Sequence, residues 1–168
     1  MERAMSSLGD LSSLKEELPL LPPFGAPCHV SSFYVRFLLA LAIFEAAFLA
    51  LANLCNNEQN QTSVGASHAC RLAVHACARS ANGAVIRAAA RCASALAFGS
   101  FVNKTRLGEF GALEALLGVL KRMGFGPLPH AEAHAEPVEW AGKALASLLL
   151  HQGNRMRFRE LWGLQVTH

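Results

Sequence analysis

Four residues in mid-chain have side chains able to ligate a metal: His68, Cys70, His75 and Cys77, within "HACRLAVHAC". Each like pair is seven residues apart, so on an α-helix each pair stacks along one face. Structural zinc sites use closer pairs, with a second pair further along, and neither occurs here. Core packing is the expected role of this group. A second candidate is "HAEAHAE" at 130–136, where His130 and His134 stand four apart beside Glu132 and Glu136. Pro127, Pro129 and Pro137 around it point to a solvated loop. The sequence has no phosphate-cradling Gly-rich loop, no HExxH and no GxSxG, and its carboxylates are scattered. No catalytic residue, cofactor or metal ion is expected.

The elements that hold these residues follow from composition and period. The chain has 168 residues, 52% hydrophobic and 16% charged, enough for one globular domain with a sizeable core. A net charge of +3 lacks the strong basic stripe of a general nucleic-acid binder. Five Cys, at 28, 55, 70, 77 and 92, are odd in number and form no CxxC pair, and most sit in apolar helical text. They read as small hydrophobes in a reducing compartment, the cytoplasm or nucleus. The opening "MERAMSSLGDLSSLKEELPLL" has no apolar stretch behind a basic start, so no secretory signal is expected there. The segment "FLLALAIFEAAFLALANL" (37–54) holds one charge, Glu45, near its middle. A span needs about 20 apolar residues, and a central carboxylate costs about 2.5–3.5 kcal/mol. Membrane anchoring through 37–54 is the runner-up reading, and a purely structural subunit is the third.

The chain repeats itself. "EAAFLALANL" (45–54), "RAAARCASAL" (87–96) and "EWAGKALASL" (139–148) align with small or apolar columns at Ala47/Ala89/Ala141, Ala50/Cys92/Ala144, Leu51/Ala93/Leu145 and Leu54/Leu96/Leu148. That spacing is one face of a helix. An apolar residue precedes each block: Phe44, Ile86, Val138. Beyond each block comes an Asn with an apolar residue four later: Asn60/Val64, Asn103/Leu107, Asn154/Phe158. "NQTSVGA" and "NKTRLGE" also share a Gly five residues after the Asn, at Gly65 and Gly108. Asn is a favoured N-cap, so each Asn is expected to open a short helix, and Asn103→Asp should be nearly neutral. Gly65 and Gly108 are expected to turn the chain into the next helix. The Asn-x-Thr sequons are then accidents of a structural corner. Helices are expected at about 10–20, 30–55, 61–66, 68–79, 83–98, 104–109, 111–123, 137–151 and 155–165, with no strands.

This order resembles the armadillo repeat family over about residues 38–166. The resemblance rests on long apolar third helices ending "LALANL" or "LASLLL", on "NKTRLGEFGALEALLGVL" (103–120), and on its counterpart at 60–74. It implies an all-α, right-handed α–α superhelix of about three repeats, near 30–79, 83–123 and 137–166, the last incomplete. Residues 1–29 would be a capping helix and a Pro-containing loop.

A solenoid presents its third helices as a concave wall for partners. The core stripes leave Glu45, Leu49 and Asn53 facing outward on the first third helix, Arg87, Arg91 and Ala95 on the second, and Glu139, Lys143 and Ser147 on the third. Leu49, Asn53, Arg87, Arg91, Lys143 and Ser147 are the candidate partner-binding residues. Import adaptors of the family carry a Trp and Asn ladder there. Here Asn53 keeps the Asn, Leu49, Arg91 and Lys143 stand at the Trp position, and no Trp is expected in the ladder. Arg91 and Lys143 resemble the cationic groove of catenin-like members, which implies an acidic or extended protein segment as partner. At the C-terminus, "LWGLQVTH" reads as a second helix left uncovered, exposing Leu161, Trp162 and Leu164 to self-association or another surface.

Overall fold

The computed structural model describes residues 29–124 and 131–166. Among them are eight helices and no strand: α1 (His29–Leu54), α2 (Glu58–Ala66), α3 (Ala69–Arg79), α4 (Gly83–Ala97), α5 (Phe101–Glu109), α6 (Ala112–Gly124), α7 (Ala131–Leu148) and α8 (Gln152–Val166). The chain divides into two compact units, 1–37 and 38–168. In the first, the described residues are the opening turns of α1; the second holds the rest. The expected helix at 10–20 lies outside the described residues.

Within the second unit the triplet α2–α3–α4 recurs as α5–α6–α7. The third helices α4 and α7 pack side by side, and so do the second helices α3 and α6. The core is built from small residues and Leu: Ala88, Ala89, Ala90, Cys92, Ala93 and Leu96 on α4, and Leu113, Leu116 and Val119 on α6, are all at most 1% exposed. So much Ala lets helix axes approach closely, with Leu filling the space between layers.

Two stretches differ in kind from the sequence reading. The stretch expected as a loop at 130–136 enters α7, which starts at Ala131 and takes Pro137 into its interior. Pro137 is buried, so its ring serves the core where its missing N–H weakens the helix. At the C-terminus α8 runs unbroken through 152–166 instead of turning after a short helix. In the preceding repeat Gly111 makes that turn with φ +83°, a region that suits glycine. The stretch after Asn154 offers Trp162 at the matching place, and the helix continues. The uncovered second helix expected at the C-terminus is therefore part of α8. On it Leu161 is half-buried against the core, and the side chains of Trp162 and Leu164 lie outside the described residues.

Candidate functional site: the α1–α4–α7 face

The repeat corner that positions this face is not a cap. Ser100 caps α5 by accepting from the Asn103 N–H, and Asn57 caps α2 by accepting from Gln59 and Asn60. Each Asn expected as a cap stands three residues further in. Asn103 is fully buried, and its Nδ2 donates to the carbonyls of Leu96 and Gln61, both at 3.1 Å. Asn154 repeats the arrangement, donating to Leu148 at 3.1 Å and Lys104 at 3.0 Å. One acceptor ends the preceding third helix, where carbonyls lack intrahelical partners. The other belongs to the short helix of the previous repeat. Burial of Asn103 also removes it as a glycosylation acceptor in this fold.

The paired glycines receive these amides. Gly65 and Gly108 sit inside or at the end of short helices without positive φ, and neither makes the turn. A Cβ at Gly65 would overlap the Asn103 amide, and one at Gly108 would overlap that of Asn154. The Asn-x4-Gly pattern is therefore a bolt between neighbours, with the Asn of one repeat seated on the Gly of the repeat before it. Asn60, with no preceding repeat among the described residues, is exposed.

These bolts fix how the third helices lie, and two rows of side chains cross them. In the first row Arg87 on α4 bridges Glu45 on α1 at 2.5 Å and Glu136 on α7 at 2.8 Å. Those hydrogen bonds, Glu45's foremost, raise the Arg87 pKa and hold it charged. In the second row Arg91 donates to Asn53 Oδ1 at 3.2 Å and lies 5.3 Å from the Trp140 ring centre. Lys143 stands 4.3 Å from the same ring and pairs with Glu139 at 2.5 Å.

No protein-family model matches this chain, and no curated protein or solved structure does. Its chemistry is read from the two rows alone.

Of the six residues picked from sequence, Asn53, Arg87, Arg91 and Lys143 come together on this face. Leu49 is half-buried against the core, and Ser147 is half-buried beyond the second row. Trp140, which the sequence reading left out of the ladder, stands at the centre of it. Arg87 is neutralised by two carboxylates, whereas among the described residues no carboxylate lies within ion-pair reach of Arg91. Uncommitted positive charge on the face is thus concentrated at Arg91.

The four-residue His/Cys group divides between inside and outside. Cys70 and Cys77 are buried, while His68 and His75 are exposed. Burial pushes the thiol pKa of Cys70 up to about 11 and of Cys77 to about 12, and raises Cys55 and Cys92 as well. Such thiols are packing groups rather than nucleophiles.

Proposed function

We propose that the chain is a non-catalytic protein-interaction module of the cytoplasm or nucleus, built as an armadillo-type, right-handed α–α superhelix. Its α1–α4–α7 face takes an extended acidic segment of a partner protein. The observation that carries the reading is the row Asn53–Arg91–Trp140–Lys143, which sets two cations and an amide around one indole. An acidic side chain can pair with Arg91 while its backbone bonds to Asn53 and its apolar neighbours rest on Trp140. The bolted repeats support the solenoid part of the reading, because each triplet contacts its neighbour through the same pair of residues.

The test uses a fluorescein-labelled, unstructured Glu-rich peptide with one aromatic residue, titrated at low and high salt. The wild type should bind it, and Arg91→Glu/Lys143→Glu should weaken binding about tenfold or more, since opposite charges become like charges. Raising salt should also weaken binding to the wild type, because exposed pairs are screened. Binding indifferent to both changes would sink the acidic-segment reading.

Membrane association through 37–54 has one observation in its favour. Tyr34–Leu54 is long and apolar enough to cross a bilayer, and only 11% of that window is buried. Against it stands the C-terminal half of α1. Phe48 and Ala52 are in the core, as is Cys55 just after the helix, and Glu45 and Asn53 bond to α4. A spanning α1 would have to give up both rows of the ladder.

A further inference from the structure

The two rows of the α1–α4–α7 face carry opposite charge. In the first, the carboxylates of Glu45 and Glu136 outnumber the single guanidinium of Arg87, one on each of its arms. Each carboxylate spends one oxygen there. Among the described residues the other two, Glu45 Oε2 and Glu136 Oε1, accept no hydrogen bond. The Glu136 side chain is 63% exposed, so its free oxygen is open to an approaching group. In the second row the balance reverses, with Arg91 and Lys143 set against Glu139 alone. On α4 and α7 the rows lie one turn apart, Arg87 before Arg91 and Glu136 before Trp140, which is about 6 Å along a helix axis. A negative strip therefore runs beside a positive one.

We infer that the partner segment alternates in charge: an acidic residue paired with Arg91 has basic residues on either side of it, paired with Glu45 and Glu136. This specificity rests on the acidic-segment reading above and adds a role for the first row. In an extended chain successive side chains point to opposite sides, and residues two apart lie about 6.6–6.8 Å from each other on the same side. A strand laid across the helices between the rows thus aims one residue at the second row and the next at the first. Glu45 and Glu136 share one guanidinium, so two basic residues on the same side of the strand can reach one carboxylate each. A wholly acidic segment would set its alternate side chains against the first row's carboxylates, and a wholly basic one would meet Arg91. The net charge of +3 attracts the wholly acidic segment more strongly at long range. Preference for the alternating one must therefore come from the rows themselves.

The probes are two fluorescein-labelled peptides of equal length with one aromatic residue each. One alternates Glu and Lys, and the other has Gln in place of every Lys. Full-length wild type should bind the Glu/Lys peptide about three- to fivefold more tightly, the size expected of exposed ion pairs. Glu136→Gln, at an exposed position, should bring the two affinities together. Glu45→Gln/Glu136→Gln, with its fold checked by circular dichroism, leaves Arg87 uncompensated, so the order should invert in favour of the Glu/Gln peptide. Arg91→Glu/Lys143→Glu should weaken both. Wild type that binds the Glu/Gln peptide as tightly as the Glu/Lys peptide, or more tightly, overturns the alternation and leaves the acidic-segment reading standing. A preference for Glu/Lys that survives in both Gln variants also overturns it, since the first row would not be its source. Failure of wild type to bind either peptide overturns the acidic-segment reading and the alternation with it.

Discussion

Asn103→Asp should destabilise the protein more than Asn103→Ala does. If Asn103 capped a helix, Asp would serve as well, because its oxygen also accepts from a free N–H and its charge suits a helix N-terminus. The buried amide has the opposite duty. Its Nδ2 donates to two carbonyl oxygens, and its oxygen lies against Gly65 without a donor. Ala removes both donations and leaves the helix-end carbonyl of Leu96 without a partner, a loss of about 2–4 kcal/mol. Asp puts a buried carboxylate against the same two oxygens. The cost rises to about 4 kcal/mol or more, a large part of a domain's stability. Burial raises the folded-state pKa of that new carboxyl above its unfolded value, so the penalty is largest at neutral pH. It shrinks as pH falls, when the protonated group can donate one bond. Denaturant midpoints at neutral and acidic pH check both parts; an Asp variant as stable as wild type at pH 7 would restore capping.

Gly65→Ala should cost about 2–3 kcal/mol, although Ala is the better helix former. The new methyl overlaps the Asn103 amide, which two carbonyls hold in place. Either the amide leaves and its bonds are lost, or the two repeats move apart. The same change at Gly142, inside α7 with nothing within 4 Å of the new methyl, should instead stabilise by about 0.5–1 kcal/mol. Thermal or chemical unfolding of the two variants separates packing from propensity. A Gly65→Ala protein as stable as Gly142→Ala would mean that Gly65 receives nothing.

Local periodicity made the helices visible in the sequence. The columns Ala89/Ala141, Cys92/Ala144 and Leu96/Leu148 are buried as their spacing demanded. The same columns misplace the first block, where Ala47, Ala50 and Leu54 are exposed and the buried side is Phe48–Ala52–Cys55. A helix stripe tells which side is apolar but not whether a neighbour is there to cover it. The role of Asn103 was hidden for a related reason. Capping is a local property, whereas the bolt needs Gly65, which lies 38 residues earlier on another repeat. The two better caps, Ser100 and Asn57, each stand in plain view three residues before an Asn. Four of the six candidate residues meet on one face, but their pairing is offset from the aligned columns. Aligned columns set Arg87 beside Glu139 and Arg91 beside Lys143, yet Arg87 meets Glu136 and Arg91 meets Trp140, in each case three residues earlier. Three residues is close to one helical turn, and the axial slide of one helix along another leaves no mark in a single sequence. That slide brings Trp140 into the ladder and gives Arg87 its second carboxylate.

The α4–α7 half of the ladder depends on neighbouring repeats being bolted through Asn and Gly, and a double-mutant cycle on Gly65→Ala and Asn103→Ala measures that bolt directly. With the amide gone, the Gly65 methyl has room, so Gly65→Ala in the Asn103→Ala background should be neutral or mildly stabilising. The expected coupling is about 2 kcal/mol or more, well beyond the few tenths found between independent sites. The second pair, Gly108→Ala with Asn154→Ala, should couple in the same sense. Strict additivity in both cycles would contradict the bolt, and with it the register of α4 against α7 in the two rows.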